Sequence, residues 1–187
     1  MEVVEVEYKT GDLVCFKTGN DWLGNLMKLV NNKVGHVGML YSTSKNLDGS
    51  FDLTIVEEVE EGIAFNVYNE GLSNIAVKGI RRTYVEKDMK DYIDKYIREK
   101  KANGTSKYSK QGLLDASISV LMSTITFGLW KKHRVLPEDG NAFCSEMYSE
   151  IFNGFFNEDI LHEEATISPL DLYGDDIEFK IKKEFGR

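Results

Sequence analysis

Residues 141–155, reading NAFCSEMYSEIFNGF, constrain this chain more than any other stretch. Phe143, Met147, Ile151 and Phe155 recur every four residues and Phe152 widens the stripe, so the segment has one apolar helical face. The preceding Pro137-Glu138-Asp139-Gly140-Asn141 is turn chemistry, because proline fixes φ while Gly and Asn tolerate positive φ. Cys144 therefore falls on the first turn, where unpaired backbone N–H groups and the positive end of the helix dipole favour an anion, here a thiolate. A free cysteine in such a sequence also fits a small buried hydrophobe. At this point Cys144 has two readings, nucleophile and core residue.

The chain of 187 residues suits one domain spanning 1–187, and its 42% hydrophobic content supplies a core. Two cysteines make no disulfide framework, which fits a reducing compartment with free thiols. A net charge of -8 without a basic stripe argues against nucleic acid as a partner. The opening MEVVEVEYKT lacks the basic-then-apolar order of a secretory signal, so the expected location is cytoplasmic or otherwise intracellular. Leu113 to Trp130 is apolar but carries Asp115 and several Ser and Thr residues and barely reaches bilayer-crossing length. It is expected to be a buried helix, with no integral membrane span, and leaves room for a lid or a lipid-facing surface.

Alternation predicts strands over Met1–Tyr8, Leu13–Phe16, Val34–Tyr41, Phe51–Val59, Ile63–Tyr68, Ile75–Arg82 and Ile177–Phe185. Glu60-Glu61-Gly62 joins two of them as a hairpin, with Gly62 supplying positive φ. Helices are predicted from Asn20 or Asp21 to about Asn32 and over Val85–Lys101, where Met89, Tyr92, Ile93, Tyr96 and Ile97 form the stripe and Asn103-Gly104 the stop. Cys15, inside an apolar run with no helix start beside it, reads as packing. No internal repeat, low-complexity tract or linker interrupts the chain.

The histidines are His36, His133 and His162. No cysteine ligand pair or phosphate loop is present, so neither a metal site nor a cofactor is expected. The best-supplied nucleophile and base are a thiol at a helix start and an imidazole on a strand. His36 lies between Gly35 and Gly38, and glycine in a strand marks close approach. A histidine in a strand is usually a satisfied structural one, so that reading stays open as well. A third polar group must orient the imidazole, and Glu57 is placed to do so. Glu57 and Glu58 face opposite ways at their strand end, and Glu58, Glu60 and Glu61 read as a solvated edge.

Taken in order, Gly11-Asp12-Leu13-Val14, a helix, Gly35-His36-Val37-Gly38, Val56-Glu57-Glu58-Val59 before Gly62-Ile63, and Phe143-Cys144-Ser145-Glu146 resemble the permuted branch of the NlpC/P60 superfamily. That branch comprises the YiiX/YebB-like thiol hydrolases with a permuted papain fold, together with related poxvirus proteins and more distant lecithin:retinol acyltransferase relatives. Each motif is short; their order, with histidine before cysteine, carries the likeness, which runs from Gly11 to Ser168-Pro169-Leu170.

The resemblance implies an α+β, circularly permuted papain-like (NlpC/P60) fold, mainly an antiparallel sheet or small barrel packed against helices. It implies Cys144 as nucleophile, His36 as general base and acid, and Glu57 as the orienting member, Glu58 being the alternative. Tyr108 is a candidate substrate-binding residue, although Tyr108-Ser109 stands where a Tyr-Asp pair is expected. The implied function is a cysteine-dependent hydrolase of the amidase or peptidase type, forming a thioester on Cys144. Its partners would be cell-wall peptides, peptide C-termini or amino-acid-linked lipids, and a phage or viral source would suit the absence of an export signal. Two alternatives stay open: a thiol acyltransferase or lipid esterase, and a non-catalytic binding module of the same fold.

Overall fold

The computed structural model describes residues 7–19, 34–59, 61–104, 144–158, 161 and 169–186. Its strands are β1 (Leu13–Lys17), β2 (Val34–Lys45), β3 (Phe51–Val59), β4 (Gly62–Asn69), β5 (Ile75–Ile80) and β6 (Phe179–Lys183). Its helices are α1 (Glu86–Ala102), α2 (Cys144–Phe156) and α3 (Pro169–Gly174). The strands form one sheet in the order β4-β3-β2-β1-β5-β6, with every neighbouring pair antiparallel. The architecture is α+β with an open sheet, ending at β4 on one side and β6 on the other.

Side chains of successive strand residues point to opposite faces, and the core divides accordingly. Leu13, Cys15, Val37, Met39 and Val56 join the helix side, packing with Met147, Tyr148, Ile151 and Phe152 of α2 and Met89, Ile93 and Ile97 of α1. The alternate residues Val14, Phe16, Leu40, Ile55 and Val77 make a second cluster with Tyr8, Phe51 and Tyr68. Helix α2 packs on β2, β3 and α1, and α3 packs on β2 and α2. Each fully buried apolar side chain of α2 contributes about 1.5–3 kcal/mol. That fixes the helix, and with it the position of Cys144, its first residue.

Helix α1 has Glu86 and Asp88 in its first turn and Lys100 and Lys101 in its last, the order that complements its dipole. Gly104 follows with φ 69°, and Gly62 has φ 112° at the β3–β4 turn, both as their sequence signals predict. The expected strand over Met1–Tyr8 is not found in its described part: residues 7–9 lead instead into a turn. There the Lys9 N–H donates to Asp12 Oδ2 at 2.8 Å, Tyr84 Oη donates to the Thr10 carbonyl at 2.7 Å, and Tyr148 Oη donates to the Gly11 carbonyl at 2.9 Å. These partners hold the turn that leads into β1. The expected helix after Asn20 and the Leu113–Trp130 segment lie outside the described residues. Among the described residues no helix is long and apolar enough to cross a membrane.

Candidate active site

The site begins with an irregularity in β2. Phe16 pairs with His36 but Lys17 pairs with Val34, which leaves Gly35 as an extra residue, a bulge. A Cβ on Gly35 would stand 2.9 Å from the Thr18 Cα, so a side chain there would collide with backbone. The bulge breaks the alternation of β2: Val34, Val37 and Met39 all belong to the helix-side core, whereas the His36 ring lies on Phe16 with centroids 5.4 Å apart. Gly38 has a different job. A Cβ on it would fall 2.5 Å from Ile55 Cγ2 and 3.0 Å from the Val56 carbonyl oxygen, so its bare backbone lets β3 come close.

That approach sets Glu57 against His36, with Nε2 and Oε2 2.6 Å apart. The other carboxylate oxygen, Oε1, accepts Asn66 Nδ2 at 2.7 Å and Tyr68 Oη at 2.8 Å. Both donors come from β4, whose register against β3 places Asn66 opposite Ile55 and Tyr68 opposite Leu53, on the face Glu57 shares. Oε2 is thereby left to the imidazole. Burial acts to raise the Glu57 pKa, but the hydrogen bonds from His36 and Asn66 outweigh it and hold the carboxyl below its usual range. Burial, then the neighbouring Glu57, pushes the Tyr68 hydroxyl in the opposite direction, so it stays a donor.

The third member is Cys144, only 1% exposed at the start of α2. Its sulfur is near enough to act on the His36 imidazole. With Nε2 engaged by Glu57, Nδ1 is the nitrogen left for sulfur. Burial would lower the His36 pKa; the charge and hydrogen bond of Cys144, then those of Glu57, outweigh it and push it up to about 10. Near neutral pH the imidazole is therefore a cation between a sulfur and a carboxylate, with 27% of its side chain still open to solvent. Cys15 is buried within β1 and burial pushes its thiol up to about 12, as expected for a packing residue.

No family model and no curated protein matches the chain. Among solved structures it is similar to the crystal structure of the metalloprotein yiiX from Escherichia coli O157:H7. That likeness has a TM-score of 0.38 and 14% identity, covering 92% of this chain and 88% of that one. Among the described residues no group of three or more His, Cys, Asp or Glu side chains is placed to hold a metal ion.

Of the sequence-derived candidates, Cys144, His36 and Glu57 are brought together, while Tyr108, His133 and His162 lie outside the described residues. Glu58 requires a correction. It is not a solvated edge residue: β3 is an interior strand and Glu58 is 1% exposed. Its Oε1 has no hydrogen-bond partner among the described residues. Burial pushes its pKa up to about 8, against Lys100 and with help from Glu150 and Glu146. Asn66 and Tyr68 were not singled out from the sequence. The available signal was their spacing, two polar side chains at alternate positions of the strand that pairs with the Glu57 strand.

Proposed function

We propose that this protein is a cysteine-dependent acyl hydrolase of the amidase or peptidase type, with the permuted NlpC/P60-like fold. Cys144 is its nucleophile, His36 its acid and base, and Glu57 the group that orients the imidazole. The observation that carries the reading is the His36–Glu57 pair at 2.6 Å, with Glu57 itself fixed by Asn66 and Tyr68 and with the Cys144 sulfur near enough to act on the imidazole. A binding module would need no thiol beside an oriented imidazole.

The reaction follows from this arrangement. The Cys144 sulfur attacks a carbonyl carbon, and the carbonyl π electrons move to oxygen, where backbone N–H groups at the start of α2 can receive the oxyanion. The imidazolium of His36 gives its proton to the leaving amine as the C–N bond breaks, producing a thioester. His36, now neutral, takes a proton from water, whose oxygen attacks the thioester carbonyl. The acid product departs and the sulfur is restored. Glu57 stabilises the imidazolium at the resting and final stages and keeps Nδ1 toward sulfur. Suitable substrates are acyl groups of cell-wall peptides, peptide C-termini or amino-acid-linked lipids.

The test is covalent labelling with a thiol-reactive acyl probe. Labelling is expected to vanish in Cys144→Ala and Cys144→Ser and to persist in Cys15→Ala; retained labelling in both Cys144 variants sinks the assignment.

A further inference from the structure

We propose that a cavity at the β5–β6 side of the sheet is a second binding site, one that takes the phosphate group of a phosphomonoester. The cavity has a volume of about 630 Å³, and Lys9, Arg81, Arg82, Lys180 and Lys182 line it. So many cations around one cavity is notable in a chain whose net charge is -8.

Not all of these charges are free. Arg82 is committed to Glu178 at 2.7 Å and Glu158 at 2.9 Å. Lys182 reaches over Gly79 to the buried Asp12 at 2.6 Å, a path that a Cβ on Gly79 would block at 2.1 Å from the lysine chain. Lys9 has a loose 3.5 Å contact with the exposed Glu7, which also lines the cavity. Arg81 and Lys180 make no ion pair with a carboxylate among the described residues. Asp176, a carboxylate that feels Arg81 at longer range, is bonded to Lys78 at 2.9 Å.

The geometry of these two cations suits phosphate. Arg81 Nε donates to the Phe179 carbonyl at 2.9 Å, which anchors the guanidinium and leaves its two terminal nitrogens as a planar fork. Lys180 pairs across the strands with Gly79, two positions before Arg81, and adds a compact second charge. A phosphate dianion has the charge and the three acceptor oxygens to engage both, with Lys9 at the rim, whereas one carboxylate would leave a cation uncompensated. Tyr84 and Ile181 supply ring and aliphatic surface for the organic part. The cavity lies toward the Asp12 end of β1, and His36 pairs with Phe16 at the other end, so the site does not depend on the chemistry proposed for Cys144.

Two probes separate the two sources of such a group: phenyl phosphate titrated by calorimetry, and phosphatidylcholine vesicles with and without phosphatidic acid, measured by co-sedimentation. Arg81→Ala and Lys180→Ala are each expected to weaken binding about tenfold, and the double variant to abolish it. Lys95→Ala, on the exposed side of α1, should leave it unchanged. Saturable binding of phenyl phosphate identifies a soluble organic phosphate as the ligand. Binding to phosphatidic acid vesicles alone, lost in the double variant, identifies a lipid headgroup. No binding of either probe, or binding that the double variant retains, overturns the proposal.

Discussion

Adjacent carboxylates on β3 show how much of this protein's chemistry is decided by single atoms. Glu57 has a donor for each oxygen and is held ionised, whereas Glu58 is equally buried, its Oε1 has no partner among the described residues, and burial holds it protonated at neutral pH. Removing a donor from Glu57 loosens the imidazole without touching sulfur. Tyr68→Phe and Asn66→Ala are each expected to lower the acylation rate about tenfold, and to narrow the pH range of labelling as the imidazolium loses its oriented counter-charge. Unchanged rates and an unchanged pH profile in both would remove these residues from the site. For Glu58 the expectation concerns stability. Glu58→Gln should raise the unfolding free energy by about 1–3 kcal/mol above pH 8, where the native carboxylate is charged in a dry setting. The gain should fade as pH drops toward 4.5, where folded and unfolded chains both hold the proton. Urea denaturation at pH 9 and at pH 5 makes the comparison, and an equal gain at both rejects the account.

At the scale of elements, two glycines of β2 do what no side chain could. Gly35 absorbs the register slip that brings Val34 to the same face as Val37 and Met39, and Gly38 admits β3 to contact. Gly38→Ala would press a methyl against the Val56 carbonyl and Ile55, so about 1–3 kcal/mol of destabilisation is expected, together with slower labelling because Glu57 moves with β3. Thermal unfolding and labelling rate measured on the same variant check both halves; a normal melting temperature would show that the strands can part without cost. The elements themselves were largely legible. The β3–β4 hairpin, α1 and α2 fall close to the limits set by their periodicity and their glycines, because each carries a strong local pattern. The N-terminal alternation does not extend into a strand at Glu7 and Tyr8, and the turn that follows is held by Tyr84 and Tyr148, which are remote in sequence. Lys78 was hidden likewise. A cation within a strand pattern, it is buried at 1% exposure and spans the end of α3, donating to the Tyr173 and Asp175 carbonyls at 2.6 and 2.7 Å.

For the whole molecule, the shifted groups set how stability varies with pH. The folded pKa of His36 is raised from 6.5 to about 10, so its contribution is complete below pH 6.5 and is lost as pH rises through 10. Glu58, raised from 4.5 to about 8, imposes no cost below pH 4.5 and its full cost above 8. Glu57 is lowered from 4.5, so its contribution is present above that value and is lost as pH falls through the folded value. Together these place the expected stability maximum between about pH 4.5 and 6.5. A melting-temperature profile checks it, and a maximum above pH 8 contradicts it. In Cys144→Ala the imidazole loses its sulfur partner, so the His36 pKa measured by NMR should fall; an unmoved value would mean that the sulfur does not act on the ring.

The amino-acid order alone encodes the alternation that builds the sheet, the stripes that bury α1 and α2, and the placement of Cys144 at a helix start and His36 on a strand. These are local properties, fixed by the period of apolar residues and by glycine and proline at the turns. Long-range packing sets the rest: Glu57 takes the imidazole while Glu58 is buried away from it, Asn66 and Tyr68 complete the carboxylate, and Arg81 and Lys180 gather beside a cavity. Those outcomes depend on the register of β3 against β2 and β4, on the bulge at Gly35, and on which charges find partners across the sheet. Such pairings join residues far apart in the chain, and no local pattern encodes them.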